Sequence, residues 1–309
     1  MGFMSRRALL ASAVGLPAVL ALGSAAVAAA QAPSRRYTMT AFTNDSETDL
    51  YVYESNDAMT FDLVKAQAYT PPSGLMRDPC MFRHTDGVYY LAYTTAWDGH
   101  TIGFARSTDR VTWAHLYDYE FTLPGVTSAW APEWLIDGDG RIHVMVSLSD
   151  GYRFTPNLMT TTDPSSPTAW TEPTPMIGLC PEPGDDASYG YIDTTVARIG
   201  TRYYAFTKNE TTKLIELATA DSPVGPYTFV AKDDWAGWGS PREGQSVTRL
   251  PNGGWRMFFD SYIDETYLYS DSYDNFQTWS KPREVPGLSG FIRHVTVLSE
   301  ASPGVAPAP

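Results

Sequence analysis

Asp78, Glu133, Asp193, Glu243 and His294 return at intervals of 55, 60, 50 and 51 residues. They stand in the segments Met76-Arg77-Asp78-Pro79, Trp130-Ala131-Pro132-Glu133, Tyr191-Ile192-Asp193-Thr194, Arg242-Glu243-Gly244-Gln245 and Ile292-Arg293-His294. Carboxyl groups gathered at one place raise one another's pKa, an arrangement tolerated where one acid must stay protonated beside another that stays ionised. Glycoside hydrolysis has that requirement. One carboxylic acid protonates the leaving oxygen while a carboxylate activates water on the opposite face, with ~6.5–9.5 Å between them when the reaction inverts the anomeric carbon. Cation binding or the capping of strand ends would explain any one of these residues alone, but the shared phase favours a site.

Elements that could hold five such positions in phase are legible in the chain from Arg36 onward. It carries no sustained helical period, only short alternating runs rich in Tyr, Val, Thr and Phe between Gly, Pro, Asp and Asn clusters. A Ser, Thr or Asp cluster followed by an aromatic recurs five times. It runs from Ser55-Asn56-Asp57 to Phe61, Ser107-Thr108-Asp109 to Trp113, Thr162-Asp163 to Trp170, Asp221-Ser222 to Tyr227, and Ser272-Tyr273-Asp274 to Trp279. A glycine before a strand (Gly87, Gly140, Gly200, Gly254) keeps the same phase. A period of 50–60 residues holding about four strands is a β-propeller blade. The expectation is therefore an all-β, five-bladed β-propeller over residues 37–300. Three runs within 37–66 pair with the single run Phe291–Leu298 to close the ring, which removes free sheet edges. The turn carboxylates are expected to bind backbone amides and the aromatics to pack between blades.

If each blade begins with an inner strand, the five phased residues face one mouth. Trp97, Trp130 and Tyr191, with Tyr189, Trp235 and Trp238, supply aromatic faces for sugar rings there, while Trp134 is assigned to the core. Glu133 and Gln245 offer partners for hydroxyl groups.

The 309 residues are 43% hydrophobic, 13% aromatic and 18% charged, which excludes global disorder. A net charge of −13 makes nucleic acid or an anionic membrane an unsuitable partner. Two cysteines, Cys80 and Cys180, are too few for a disulfide framework or a Cys-based zinc site, and whether they pair stays open. The five histidines form no close ligand pair, and no phosphate-cradling glycine loop or nucleophile elbow is present. Ser5-Arg6-Arg7 ahead of an apolar stretch to Ala30 reads as a twin-arginine export signal cleaved before Gln31, followed by a linker at 31–36; residues 301–309 read as a loose tail. A secreted, acidic monomer is expected, with no membrane association after cleavage.

Arg77-Asp78-Pro79, the strand Gly87-Val88-Tyr89-Tyr90-Leu91, Trp130-Ala131-Pro132-Glu133, Ile192-Asp193, Glu243-Gly244 and Arg293-His294 together resemble glycoside hydrolase family 43, the five-bladed propeller arabinanases, arabinofuranosidases and xylosidases. The resemblance implies Asp78 as general base, Glu243 as general acid and Asp193 as the carboxylate that tunes and orients the acid. It implies that Arg77 and Trp130 line the sugar subsite, and that His294 approaches a channel cation, usually calcium, through waters. Gln245 stands where many members have Pro, and Val295 where many have Gly. The implied function is hydrolysis of arabinofuranosyl linkages in plant-type poly- or oligosaccharides, narrowed to an exo-α-L-arabinofuranosidase, with a β-xylosidase or endo-arabinanase as nearest rivals. Ser107-Thr108-Asp109-Arg110-Val111-Thr112-Trp113 also resembles the Asp-box of sialidases, but five repeats and an acidic ring speak against that fold and its arginine triad. A non-catalytic sugar-binding propeller is the alternative of another class.

Overall fold

The computed structural model describes residues 35–181 and 187–301. The segment expected to direct export, residues 31–34 of the expected linker and residues 302–309 of the expected tail lie outside the described residues.

Among the described residues twenty strands form five four-stranded antiparallel sheets. The first blade contains β1 (Arg35–Thr43), β2 (Ser46–Ser55) and β3 (Asp62–Tyr69). The second runs β4 (Arg77–Arg83), β5 (Tyr89–Thr94), β6 (Thr101–Ser107) and β7 (Ala114–Glu120). The third runs β8 (Ser128–Ile136), β9 (Ile142–Ser149), β10 (Phe154–Thr161) and β11 (Thr174–Pro175). The fourth runs β12 (Tyr191–Ile199), β13 (Arg202–Asn209), β14 (Leu214–Ala220) and β15 (Thr228–Ala231). The fifth runs β16 (Glu243–Arg249), β17 (Trp255–Ser261), β18 (Thr266–Ser272) and β19 (Arg283–Glu284). The last strand, β20 (Ile292–Ala301), returns to the first blade and gives the order β20-β1-β2-β3.

The ring closes on itself, as the repeat predicts. The inner strands touch in the cycle β20, β4, β8, β12, β16 and back to β20. Closure reaches slightly further than the expected boundaries: Arg35 and Arg36 pair with Ala301 and Glu300, and the Arg36 guanidinium lies 2.8 Å from the Glu300 carboxylate. The first strand thus begins inside the expected linker.

Five apolar clusters fill the five spaces between neighbouring blades. The aromatics that follow the turn carboxylates are part of them. Phe61 packs edge-on against Phe258 across the seam between the first and fifth blades, and Trp113 joins Leu50 and Val52 across the seam between the first and second. The turn carboxylates satisfy backbone donors: Asp57 accepts from Met59 and Thr60, Asp109 from Val111 and Thr112, and Asp274 from Gln277 and Thr278. Cys80 is buried and Cys180 exposed, and no disulfide joins them.

One irregularity recurs in every inner strand and positions the site. At each, three residues of the inner strand span two of its partner, so that one extra residue bulges. The bulged residues are Asp78, Ala131, Asp193, Gly244 and His294, with left-handed φ of 51°, 49°, 53°, 58° and 39°. A left-handed residue with a Cβ costs ~1–3 kcal/mol and persists only where its surroundings enforce it. Four of the five carry one.

Candidate active site

The bulges open onto a cavity of about 410 Å³ at one end of the ring. Asp78, Asp193, Glu243 and His294 all line it, so four of the five phased residues converge as expected. Arg77, Trp97 and Trp130 line it as well.

Six expected subsite residues, Glu133, Tyr191, Gln245, Tyr189, Trp235 and Trp238, are placed elsewhere. Glu133 is two positions beyond the bulge of its blade, Ala131, so its side chain is carried past the mouth and accepts a hydrogen bond from the Thr195 hydroxyl. Burial pushes its carboxyl up to about 8. Tyr191 is 1% exposed, stacks on Phe229 and directs its hydroxyl to Glu216 at 3.3 Å. Gln245, 2% exposed, donates through Nε2 to the backbone carbonyls of Asp193 and Phe206, tying two inner strands together. Trp134 is in the core between the second and third blades, as assigned, whereas Trp238 is buried between the fourth and fifth with Trp235 packed against the same cluster, and Tyr189 is exposed outside the cavity.

Asp78 is held as a carboxylate. Its Oδ1 lies 3.0 Å from His294 Nδ1, and its Oδ2 accepts the Thr94 hydroxyl at 2.6 Å. Burial works against the charge, but the imidazolium beside it outweighs burial and drives its pKa well below the carboxylate range. The partner responds in kind: burial disfavours the His294 cation, yet Asp78 and then Asp193 raise it to about 9. An ionised carboxylate at pH 7 is the state a general base needs.

Across the cavity stand Asp193 and Glu243, each acting on the other's charge. Asp193 is raised to about 6 chiefly by burial, with His294 and Lys208 drawing it down and Glu243 and Asp78 pushing it up. Glu243 is displaced downward because Lys208, and after it His294 and Arg293, overcome burial. Lys208 Nζ lies 2.8 Å from Glu243 Oε2, and an Arg293 nitrogen lies 3.2 Å from Oε1. The pair therefore retains a proton to about pH 6, with the negative charge drawn toward Glu243. Asp193 Oδ2 accepts the Gly244 N–H at 3.1 Å, which fixes the backbone that carries Glu243.

The second strands complete the mouth, and sequence reading missed them. Thr94, Ser147, Lys208, Asp260 and Phe42 stand opposite the residue beside each bulge. Thr94 and Ser147 hydroxyls accept the N–H groups of Ala131 and Asp193, the bulges of the next blades. Asp260, fully buried and raised to about 6 chiefly by burial, pairs with Arg293. Applying the blade phase to the partner strands would have found this second ring. Glu47, Glu210 and Tyr262 come from the loops or strand ends that rim the cavity.

One wall is aromatic. The Arg77 guanidinium stacks 3.8 Å from the Trp97 ring centroid, while Glu47 holds both, at 2.6 Å from Arg77 and 3.2 Å from the Trp97 indole nitrogen. Trp130 donates to the Trp97 carbonyl and packs edge-on against its ring. Trp97 remains 47% exposed, leaving ring surface for a sugar face.

The expected channel cation finds few donors. Among the described residues no group of three or more His, Cys, Asp or Glu side chains is arranged to hold a metal. His294 Nδ1 is engaged by Asp78 at 3.0 Å, so Nε2 is the ring nitrogen that would approach a cation through waters.

A closed five-bladed propeller with an ionised carboxylate facing a proton-retaining carboxyl pair across a small polar cavity is the architecture of a glycosyl hydrolase domain. A family model described as a probable glycosyl hydrolase domain, related to glycoside hydrolase family 43, matches residues 32–302, and the chain belongs to that family. It is 25% identical over 311 residues to an α-L-arabinofuranosidase of Bifidobacterium longum subsp. longum, covering 81% of this chain and 29% of that protein. The chain thus spans under a third of that relative's length. Among solved structures it resembles a thermostable family-43 glycoside hydrolase (TM-score 0.60, 18% identity, 89% of this chain and 93% of the other). It also resembles an endo-1,4-β-xylanase of Bacteroides thetaiotaomicron (TM-score 0.61, 14% identity, 84% and 93%).

Proposed function

We propose that the protein hydrolyses arabinofuranosyl linkages of plant-type oligo- or polysaccharides as an exo-α-L-arabinofuranosidase, by a single inverting displacement. The observation that carries this reading is the division of protonation states across one cavity: Asp78 ionised, and the Asp193/Glu243 pair retaining a proton. The likeness to the Bifidobacterium arabinofuranosidase supports the choice of sugar.

In this mechanism the sugar lies in the cavity against Trp97 and Arg77. Asp78 removes a proton from water as the water oxygen bonds to the anomeric carbon. The bond to the leaving oxygen breaks on the opposite face as Glu243 passes that oxygen the one proton it shares with Asp193. Asp193 anchors the acid through the Gly244 N–H and shares its charge. His294 and Thr94 keep Asp78 aimed and ionised.

The product profile on linear arabinan, branched arabinan and arabinoxylan tests the substrate. Release of free arabinose is expected; release of xylose alone from xylo-oligosaccharides would move the assignment to a β-xylosidase, which the same carboxylates serve. The Ser5-Arg6-Arg7 segment supports export through the twin-arginine route, and fractionation of cells expressing the full chain tests it.

A further inference from the structure

Glu243 presents a difficulty for an acid: two cations hold it, and a cation beside a carboxyl favours the ionised form. The arrangement around those cations resolves it. Lys208, whose side chain is 3% exposed, has Nζ 2.8 Å from Glu243 Oε2 and also 2.8 Å from Glu210 Oε2. Arg293 likewise bridges Glu243 and Asp260. Each cation on the acid therefore has a second carboxylate. A buried ammonium paired with Glu243 alone would become an uncompensated charge whenever Glu243 took a proton, which is strongly unfavourable. With Glu210 in place it does not.

We propose, resting on the reading that Glu243 is the acid, that Glu210 is a positioning residue which takes the Lys208 ammonium while Glu243 carries its proton. Glu210 is fixed for this role. Its N–H donates to the Gly190 carbonyl at 2.9 Å, and Lys213 engages its other carboxylate oxygen. The other charged groups facing Glu243 are Arg293 and His294 on β20, Asp193 on β12, Asp260 on β17 and Asp78 on β4, with the Tyr262 ring 5.2 Å from Lys208 Nζ. Among the described residues, only Lys208 pairs with both the acid and a carboxylate on the cavity rim. As Glu243 passes its proton to the leaving oxygen it regains its charge, so the ammonium, 2.8 Å from both carboxylates, is balanced by Glu210 before the transfer and by both after it.

Glu210→Gln in the full chain tests this, with a nitrophenyl arabinofuranoside, whose leaving group needs little protonation, against an arabino-oligosaccharide, whose leaving group needs it fully. The expected kcat loss is about tenfold greater on the oligosaccharide, and the basic limb of the pH–rate profile moves down by about a unit, within the range by which general acids contribute. Glu210→Asp, which keeps the charge, restores the limb. In a Lys208→Met background the Glu210→Gln effect disappears. Equal loss on both substrates, or a loss that persists without Lys208, would overturn the proposal and make Glu210 a sugar ligand or a fold element. Failure of the underlying reading has a separate signature: Glu243→Gln would then show no dependence on the leaving group.

Discussion

Asp78 and Asp109 belong to one blade and stand at its two ends. Asp78 enters β4 at the mouth, whereas Asp109 follows β6, which runs from the mouth to the opposite face. Both are ionised, and for different reasons. Asp109 is exposed and lowered to about 2 by the N–H groups of Thr112 and Val111 in its own turn. Asp78 is buried, sits at a strained left-handed φ, and owes its charge to His294 from another blade. The turn carboxylate recurs wherever its local sequence recurs. The mouth carboxylate exists only because the ring closes, since β20 brings His294 back beside β4. Local satisfaction builds the fold, and satisfaction across blades builds chemistry.

The sharpest way to break this contrast is to neutralise each kind. Asp78→Asn and Glu243→Gln are each expected to lower kcat on an unactivated arabinoside by ~10²–10⁴, the range of general acid–base catalysis, with the propeller's circular dichroism unchanged. Gly244→Ala tests the bulge itself: a Cβ there would lie 2.8 Å from His294 Cγ at a φ of 58°. Displacing both the acid's backbone and His294 should cost ~10²-fold in kcat, as a misplacement of about 1 Å does, with a smaller change in KM. Trp97→Ala should instead raise KM by about fivefold with little change in kcat, because a lost stacking contact of ~1 kcal/mol weakens binding. Asp109→Ala is the converse: thermal unfolding should show a loss of ~1–2 kcal/mol from its backbone hydrogen bonds, at wild-type kcat.

The pH profile sharpens the comparison further. Hydrolysis needs the proton of the Asp193/Glu243 pair, so kcat/KM should fall as pH rises through about 6. Asp78 must be ionised and is held far below its ordinary value, so no acid-side limb is expected near ~4.

How much of this was legible in the chain follows from the same distinction. The turn carboxylates and the aromatics behind them are local, so their recurrence disclosed five blades and the pairing of the two ends. The inner-strand positions were legible where chemistry and backbone coincide, at Asp78, Asp193 and His294. In the third blade the bulge falls on Ala131, and matching carboxylates instead of backbone led to Glu133, two residues too far. In the fifth the bulge is Gly244, with the acid one residue before it. Tyr191 and Gln245 each lie two positions from a mouth residue, Asp193 and Glu243, but are buried, because the bulges at Asp193 and Gly244 break the alternation that would put them on the same face. Lys208 and Asp260 were missed since a buried cation or acid in a second strand shows its purpose only against the carboxylates of other blades.

Proton NMR of the sugar first released from an arabinofuranoside tests the central claim most directly. Asp78 as base and Glu243 as acid on opposite faces predict initial appearance of the inverted anomer, followed by slow mutarotation. Initial appearance of the retained anomer would contradict the assignment of Asp78 to water and require a covalent intermediate in its place.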